Sequence, residues 1–138
     1  MRKYVFEVLE EVSKAKKKQD KISILKSNES WALKDILRGS IDTKVVWELP
    51  TGEPPYTPAE PHNHPANLHR ENTKFAYFAK GGKGREMPKF KRERLFIGML
   101  EGVHPKDAEL IVGMINKQPP KGVTRKLVEE TFPGLLQD

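Results

Sequence analysis

The chain has 138 residues, the size of one compact domain and too short for a binding domain plus a separate catalytic one. It contains no cysteine, which excludes disulfides, thiolate metal sites and cysteine nucleophiles. The net charge is +6, and no apolar run is long enough to be a membrane span or a signal peptide. We therefore expect a single cytoplasmic domain, residues 1–138, stabilised by core packing.

The first forty residues are predicted to form three helices. Apolar residues from Val5 to Val12 recur at helical spacing, and a shorter apolar pattern covers residues 22–25. A third helix is predicted to begin after a cap at Asn28 or Ser30, because a short polar side chain can accept a bond from a first-turn amide. Gly39 is predicted to end it.

Two segments without a clear helical pattern follow. Residues 44–49, KVVWEL, have strand-forming side chains but no obvious partner strand, so they are the start of another helix or an extended connector. Residues 50–69 contain six prolines, which remove backbone donors. Residues 50–70 are therefore predicted to be a long proline- and histidine-rich surface loop within the domain.

Helical structure is predicted to resume in the second half. A helical pattern begins in residues 71–82, another covers 90–100, and a third opens at His104-Pro105 and ends before Pro119-Pro120. Thr124 is a natural cap for a last helix. The predicted fold class is all-α, a compact bundle of six or seven short helices with a long proline-rich loop.

Positive charge is concentrated in two segments. Residues 14–21 contain five lysines and one aspartate, and residues 80–94 contain seven basic and two acidic residues. One interpretation is two solvated surfaces that keep the protein soluble. The other is an electrostatic footprint for a polyanion, most often nucleic acid.

The stretch KGVTRKLVEETFPGLL offers a phosphate-binding helix terminus. Gly122 permits a tight backbone, Thr124 caps the helix, and Lys121, Arg125 and Lys126 lie beside its positive end. Free amides and the helix dipole favour an anion there. The alternative is an ordinary capped helix whose apolar residues pack in the core.

At these residues the sequence resembles the N-terminal DNA-binding domain of the ATP-dependent DNA ligases of T-even-type bacteriophages. The last helix of that domain follows a pattern of glycine, small residue, serine or threonine, helical stretch, and an aromatic or apolar residue before Pro-Gly-Leu-Ile. The matching residues are Gly122, Val123, Thr124, Phe132, Pro133, Gly134, Leu135 and Leu136. The N-terminal part of the chain also resembles that of the ligase domain, because four short motifs occur in the same order: KKKQDK, ILKSN, LKDIL and VVWELP. The resemblance therefore covers about residues 1–50 and 95–136.

The departures from the ligase pattern limit what the resemblance implies. Lys117 stands near the place of a ligase arginine, and residues 50–94 have no counterpart. The Lys-x-Asp-Gly motif that carries the ligase's adenylated lysine is absent. The resemblance therefore implies the DNA-binding module alone, as a small stand-alone protein of T-even-like or cyanophage-like myoviruses with no catalytic residue.

In those ligases the module holds nicked duplex by its sugar-phosphate backbone across the minor groove, without reading sequence. The resemblance transfers this role to the backbone amides of Gly122, Val123 and Thr124 and to Lys126 and Lys117. The concentration of positive charge predicts further phosphate contacts from the two basic segments, because such contacts need cations and hydrogen-bond donors but no fixed motif. Those residues are Lys16, Lys17, Lys18, Lys80, Lys83, Arg85, Lys89, Lys91, Arg92 and Arg94.

Two other motifs point to different chemistry. GGKG at 81–84 lacks the Walker spacing and the Lys-Ser/Thr ending, so it is interpreted as a flexible basic loop. His62, His64 and His69 with Glu60 are suitable zinc ligands, but their spacing matches no zinc module. A solvated loop is favoured, and we predict no metal and no cofactor.

Aromatic residues are candidates for base stacking, although helical spacing among aliphatic neighbours favours core positions for most. They are Trp31, Trp47, Phe75, Tyr77 and Phe78. Tyr56, isolated among prolines, is expected at the surface, where it could anchor a protein partner.

Three functions follow from these patterns. We favour a non-catalytic phage accessory protein that binds double-stranded or nicked DNA in the host cytoplasm, with no membrane partner. The alternative is an adaptor or inhibitor of a host or phage DNA-processing or transcription complex, which would use the 50–70 loop. The third is a metal-dependent enzyme built on the histidines.

Overall fold

Helices make up the regular structure of residues 2–138, the part of the chain that the computed structural model describes, and the all-α prediction is confirmed. The helices are α1 (Val5–Lys14), α2 (Lys18–Ser27), α3 (Trp31–Ile41), α4 (Leu68–Glu71), a 3-10 helix (Asn72–Tyr77), α5 (Lys89–Gly102), α6 (Pro105–Ile115) and α7 (Arg125–Thr131). Within this range β-structure is limited to two isolated bridges, Trp47 with Ala79 and Glu60 with Asn63. No described helix is long and apolar enough to cross a bilayer.

The core lies where α3 packs against α6, with α1 and α5 also against α6. The side chains of Ile36, Leu37, Ile111 and Met114 are fully buried at this centre. Helix α2 packs on α1 and on α7, which brings the two ends of the chain together. The helical apolar spacing read from the sequence thus corresponds to the faces that meet in the core.

Helix α3 continues two residues beyond its predicted end at Gly39. A Cβ atom at Gly39 would lie 2.6 Å from Sδ of Met114 and 2.7 Å from Cζ2 of Trp47. The prediction was wrong because this glycine is needed for close packing of α6 and Trp47 on the helix rather than for a turn.

The segment KVVWEL is an extended connector, and its helical alternative is wrong. The amide of Glu48 donates to the carbonyl of Phe78 and the amide of Lys80 donates to the carbonyl of Val46, both over 2.7 Å. A partner therefore exists, but it is a short stretch after the 3-10 helix that carries no strand pattern of its own.

The proline-rich loop runs over the surface as predicted, but it ends at residue 67, before α4 begins at Leu68. The amide of Gly52 donates to Oδ1 of Asn116 over 2.7 Å, and the amide of Thr57 donates to the Glu101 carboxylate over 2.8 Å. Tyr56 is half-buried and packs against the core. The expectation of an exposed Tyr56 anchor was therefore wrong, because the loop follows α5 and α6 closely.

The GGKG segment is a packed turn, which corrects its interpretation as a flexible loop. The amide of Lys83 donates to the carbonyl of Ala76 over 3.0 Å. A Cβ atom at Gly84 would lie 2.0 Å from the carbonyl oxygen of Tyr77, and one at Gly82 would lie 2.3 Å from that of Ala76. The glycines allow two backbone segments to touch.

The aromatic residues divide between core and surface. Phe75 and Phe78 are buried as predicted, and Trp47 packs against the core from one side. Trp31, the first residue of α3, is 71% exposed and is therefore an exception to the core positions predicted for most of the aromatic residues.

The C-terminal residues are tied to the end of α3. The Asp42 carboxylate is fully buried and accepts bonds of 2.8 Å from the amides of Lys44 and Gln137. The Asp138 carboxylate accepts from Thr43 and Arg125, and these donors hold the pKa of Asp138 well below its usual range. The end of α3 and the C-terminal residues are thereby joined through one buried carboxylate, that of Asp42.

Candidate functional site

A shallow pocket of about 290 Å³ joins the first predicted basic segment to the residues before α7. We call it the lysine pocket, and it is lined by Lys16, Lys18, Lys21, Gly122, Thr124, Lys126 and Leu127. Five of these residues belong to the predicted phosphate-binding set. The fold therefore brings together two stretches that are about one hundred residues apart in the chain.

The pocket forms because the chain before α7 approaches α1 very closely. Gly122 has φ of +80°, and a Cβ atom there would lie 2.9 Å from Cα of Ser13. The Lys21 ammonium donates to the carbonyl of Gly122 over 2.8 Å. A glycine at this position thus allows both the left-handed backbone and the close contact.

Lys21 was not among the predicted site residues. The sequence counted it in the charge of residues 14–21, but its spacing gave no reason to select it. Only the packing of α2 on α7 brings its ammonium to the Gly122 carbonyl.

The lysines of the pocket differ in how far their charges are already compensated. Lys18 pairs with the Glu130 carboxylate over 2.5 Å, and Arg125, beside the α7 terminus, pairs with Glu129 and Asp138. Lys16 and Lys126 are exposed and have no ion-pair partner in this part of the chain. These two ammonium groups are the ones most available to an anion.

Val123 cannot donate its amide to a phosphate, which corrects the prediction for this residue. That amide already donates to the carbonyl of Pro120 over 3.1 Å, and the Val123 side chain is buried in the core. Thr124 caps α7 as predicted, with its hydroxyl oxygen accepting from the Leu127 amide over 3.1 Å. The loop thus supplies fewer free donors than the sequence indicated.

The Lys117 ammonium is bonded to the protein itself although the residue is exposed, which also differs from the prediction. Its ammonium donates to the carbonyls of Gly39 and Asp42, each over 2.8 Å, at the C-terminal end of α3. Burial lowers the pKa of Lys117, while the charges of Asp42 and Asp138 oppose that shift. Lys117 therefore stabilises a helix end, where carbonyl groups lack intrahelical donors.

Arg92, by contrast, is buried and is removed from the predicted interface. Its guanidinium donates to the carbonyl of Gly84 over 2.8 Å and to that of Met87 over 3.2 Å. These bonds hold the GGKG turn on the first turns of α5. A charged residue in a basic run can thus be structural, because it supplies donors to buried carbonyls.

The other six predicted cations of the second segment are exposed and have no ion pair among the described residues. They are Lys80, Lys83, Arg85, Lys89, Lys91 and Arg94. None of them lines the lysine pocket, and α5 packs on α6 rather than on α2 or α7. Lys17, which precedes α2, is exposed next to the pocket residues Lys16 and Lys18. The cations therefore form two surfaces, which we call the lysine pocket and the 80–94 surface.

The predicted histidines are used separately. His64 lies 3.0 Å from the hydroxyl of Tyr4 and 3.0 Å from the carbonyl of Ala66, whereas His62 is exposed. His69 contacts the carbonyl of Lys3 over 2.9 Å. Between residues 2 and 138, no three histidine, aspartate or glutamate side chains are placed to hold a metal ion together.

Asp107 is a fully buried carboxylate near this histidine region. Its Oδ1 accepts from the amide of Phe6 over 3.0 Å, and its Oδ2 has no hydrogen-bond partner among the described groups. Burial raises the pKa of Asp107 to about 6, against the opposing effects of the Phe6 amide and the nearby His64. Burial also lowers the pKa of His104, so both groups favour their neutral forms.

We expect Asp107→Asn to raise the free energy of unfolding near neutral pH by about 1–3 kcal/mol, as a pKa shift of about two units implies. The folded pKa lies above the unfolded value, so this carboxyl stabilises the fold less and less as pH rises from about 4 to about 6. Urea unfolding of both proteins across this range measures the difference. If Asp107→Asn raised the free energy of unfolding by the same amount at every pH, the stability difference could not come from the ionisation of Asp107.

Comparison with known proteins identifies the family. Residues 8–121 match a family of unknown function, DUF6433. The chain belongs to the DUF6433 family. No curated protein matches the sequence. The matched segment includes Lys16, Lys18 and the 80–94 surface, but it ends one residue before Gly122, so the α7 side of the lysine pocket lies outside it.

Proposed function

We propose that this member of the DUF6433 family binds double-stranded or nicked DNA through the sugar-phosphate backbone, without reading sequence and without catalysis. The observation that carries the proposal is the lysine pocket. Four lysines from two distant parts of the chain surround it, and its lining contains no acidic side chain. Such a concentration of cations favours a polyanion, because each phosphate contact releases a bound counterion.

The state of the individual side chains supports this choice of ligand. Lys16 and Lys126 lack ion-pair partners among the described residues, so contact with a phosphate would not require breaking an existing pair. Lys18 would exchange its exposed pair with Glu130, which contributes little to stability. The lysine pocket is therefore the first contact region that we propose.

The 80–94 surface is the second proposed contact region. It has six exposed cations, and the same segment contains Phe90, which is 71% exposed on the first turn of α5. The lysine pocket and this surface do not share lining residues. A duplex that contacts both would show a larger number of phosphate contacts than either surface gives alone.

The resemblance to the phage ligase module supplies the proposed setting. By that resemblance the protein is a phage accessory factor that acts on DNA in the host cytoplasm. A protein partner that contacts the 50–70 loop is the second candidate. It is favoured by the hydrogen bonds of Gly52 and Thr57 to α6 and α5, which hold the loop in one arrangement before any partner binds.

Fluorescence anisotropy with a labelled intact duplex, a nicked duplex and a single strand tests the proposal. With two to four phosphate contacts, we expect duplex affinity to fall about 10- to 100-fold as salt rises from about 50 to about 200 mM. Binding should not depend on base sequence. Tighter binding to the nicked duplex would support the ligase-like mode.

Absence of duplex binding at the lowest salt would overturn the proposal. Affinity that is independent of salt would also contradict it, because a backbone contact by lysine must displace counterions. In either case the protein-partner candidate becomes the better explanation, and affinity capture with the loop-deleted chain as control would test it.

A further inference from the structure

A pocket of about 590 Å³ lies between α3, the extended connector and the 3-10 helix, and the DNA-binding proposal does not use it. We call it the tryptophan pocket, and the lining residues that matter here are Trp31, Asp35, Arg38, Trp47, Asn72 and Phe75. Its volume falls in the range of about 300–1,000 Å³ that is usual for small-ligand sites.

The aromatic rings that line the pocket are held in place by contacts within the protein. The indole nitrogen of Trp47 donates to the carbonyl of Gly39 over 3.0 Å, and its ring meets Phe75 edge-on at 6.2 Å between centroids. Trp31 stands exposed at the mouth, and the Lys34 ammonium lies 4.9 Å from its ring centroid. An indole face at this position therefore already accepts one cation.

The polar side of the pocket is an incompletely bonded carboxylate. Oδ2 of Asp35 accepts from the amide nitrogen of the buried Asn72 over 2.8 Å, whereas Oδ1 has no hydrogen bond to the described residues. Burial raises the pKa of Asp35, against the effects of Asn72 and Arg38. Asp35 is thus a partly desolvated acceptor with one oxygen facing no donor.

His69 also lines the pocket. Its Nε2 lies 2.9 Å from the carbonyl of Lys3, and since a carbonyl can only accept, Nε2 must carry the hydrogen. In the neutral ring Nδ1 is then a bare lone pair, and this atom is buried with no partner among the described groups.

Arg38 is the one cation that lines the pocket, and its charge acts on two carboxylates, Asp35 and Asp42. Its Nε lies 3.6 Å from Oδ2 of Asp42, which is fully buried. Besides this cation, the pocket offers the free oxygen of the Asp35 carboxylate and the aromatic faces of its two tryptophans.

We propose that the tryptophan pocket binds a guanidinium group, which pairs with Asp35 and stacks on an indole ring. A guanidinium is planar, carries five donors and is weakly hydrated, so it fits an acceptor beside an aromatic face. An ammonium lacks the plane that stacks, and a neutral ring would leave the Asp35 charge without a partner. The group can come from a free guanidino compound or from an arginine side chain of a protein.

Tryptophan fluorescence reports the binding directly, because Trp31 and Trp47 are the two tryptophans of the chain. We expect a saturable change with N-acetylarginine amide and at least about tenfold weaker binding of N-acetylcitrulline amide, which has the same shape without the charge. Equal binding of the two probes would overturn the proposal. So would the lack of any saturable change up to about 10 mM.

Variants assign the binding to this pocket. Asp35→Asn should weaken the arginine probe about tenfold or more, while Asp20→Asn, the same change at an exposed site on α2, should leave it unchanged. Trp31→Ala should also weaken it, and because that side chain is 71% exposed, the variant should fold even if Asp35→Asn does not. Unchanged affinity in Trp31→Ala, or in a folded Asp35→Asn, would contradict the proposal.

A comparison of ligands distinguishes the two sources. A short peptide with one arginine that binds at least about tenfold tighter than agmatine would identify a protein side chain. Agmatine that binds equally well or better would identify a free guanidino compound. The DNA experiment shares no residue with this one, so either proposal can fail without the other.

Discussion

Replacing both Lys16 and Lys126 by glutamate should weaken duplex binding about 100-fold at low salt and lower the salt slope by about two. The two ammonium groups line the lysine pocket and have no ion pair among the described residues, so their reversal removes two available contacts and adds two repulsive charges. Both side chains are exposed, so the fold should be unaffected. Anisotropy titrations of intact and nicked duplex across a salt series measure the change.

A control with the same change in net charge separates this effect from a general loss of attraction. Lys26 and Lys44 are exposed, form no ion pair in the described chain and do not line the pocket. The double variant Lys26→Glu and Lys44→Glu should reduce affinity only a few-fold, as expected from long-range charge alone. Equal losses in the two double variants would remove the lysine pocket from the interface.

The 80–94 surface can be tested in the same assay. Lys91→Glu with Arg94→Glu changes two exposed cations and leaves the buried Arg92 bonds intact. A loss comparable to that of the pocket variant, for all sequences alike, would show that one duplex contacts both surfaces. An unchanged affinity would restrict the interface to the lysine pocket.

The second large effect is on stability. We expect Asp42→Ala to lower the free energy of unfolding by about 3 kcal/mol or more, because removal of a buried acceptor leaves its donors unsatisfied. Its carboxylate accepts from the amides of Lys44 and Gln137 and lies 3.6 Å from Nε of Arg38. Urea unfolding monitored by circular dichroism gives the value directly.

Asp42→Asn is the matched variant, since its amide oxygen can still accept one of the two backbone bonds. It should lose clearly less stability than Asp42→Ala. The alanine variant should also weaken guanidinium binding in the tryptophan pocket, because it frees the charge of Arg38, which lines that pocket. A loss below about 1 kcal/mol in Asp42→Ala would contradict the role assigned to this carboxylate.

Local signals were sufficient for the helical class and for most helix positions. Apolar spacing along α1 and along α6 corresponds to buried faces, and the Ser30 and Thr124 caps are formed as predicted. These features depend on residues within one or two turns of each other, which is the range that spacing and capping describe. Gly39 shows the limit, since its neighbours are Met114 and Trp47 rather than residues of its own turn.

The candidate sites depended on contacts that local patterns do not contain. Within one basic run, Arg92 is buried while Lys91 is exposed, and nothing in the run distinguishes them. Lys117 had a suitable charge and position, but packing directs its ammonium to the end of α3. Trp31 had the spacing of a core residue and stands at the mouth of a pocket.

The sequence by itself determined that the chain is helical, that positive charge is concentrated in two segments and that the proline-rich segment is a loop. The tertiary structure decided which polar side chains are free. The ammonium of Lys21 donates to Gly122 and the carboxylate of Asp42 accepts from Gln137, in each case across about one hundred residues of chain. It also placed Asp35 and both tryptophans around one pocket. The physical reason is that a helical period fixes which face of each helix is buried, whereas the partner of that face is set by packing of the whole core.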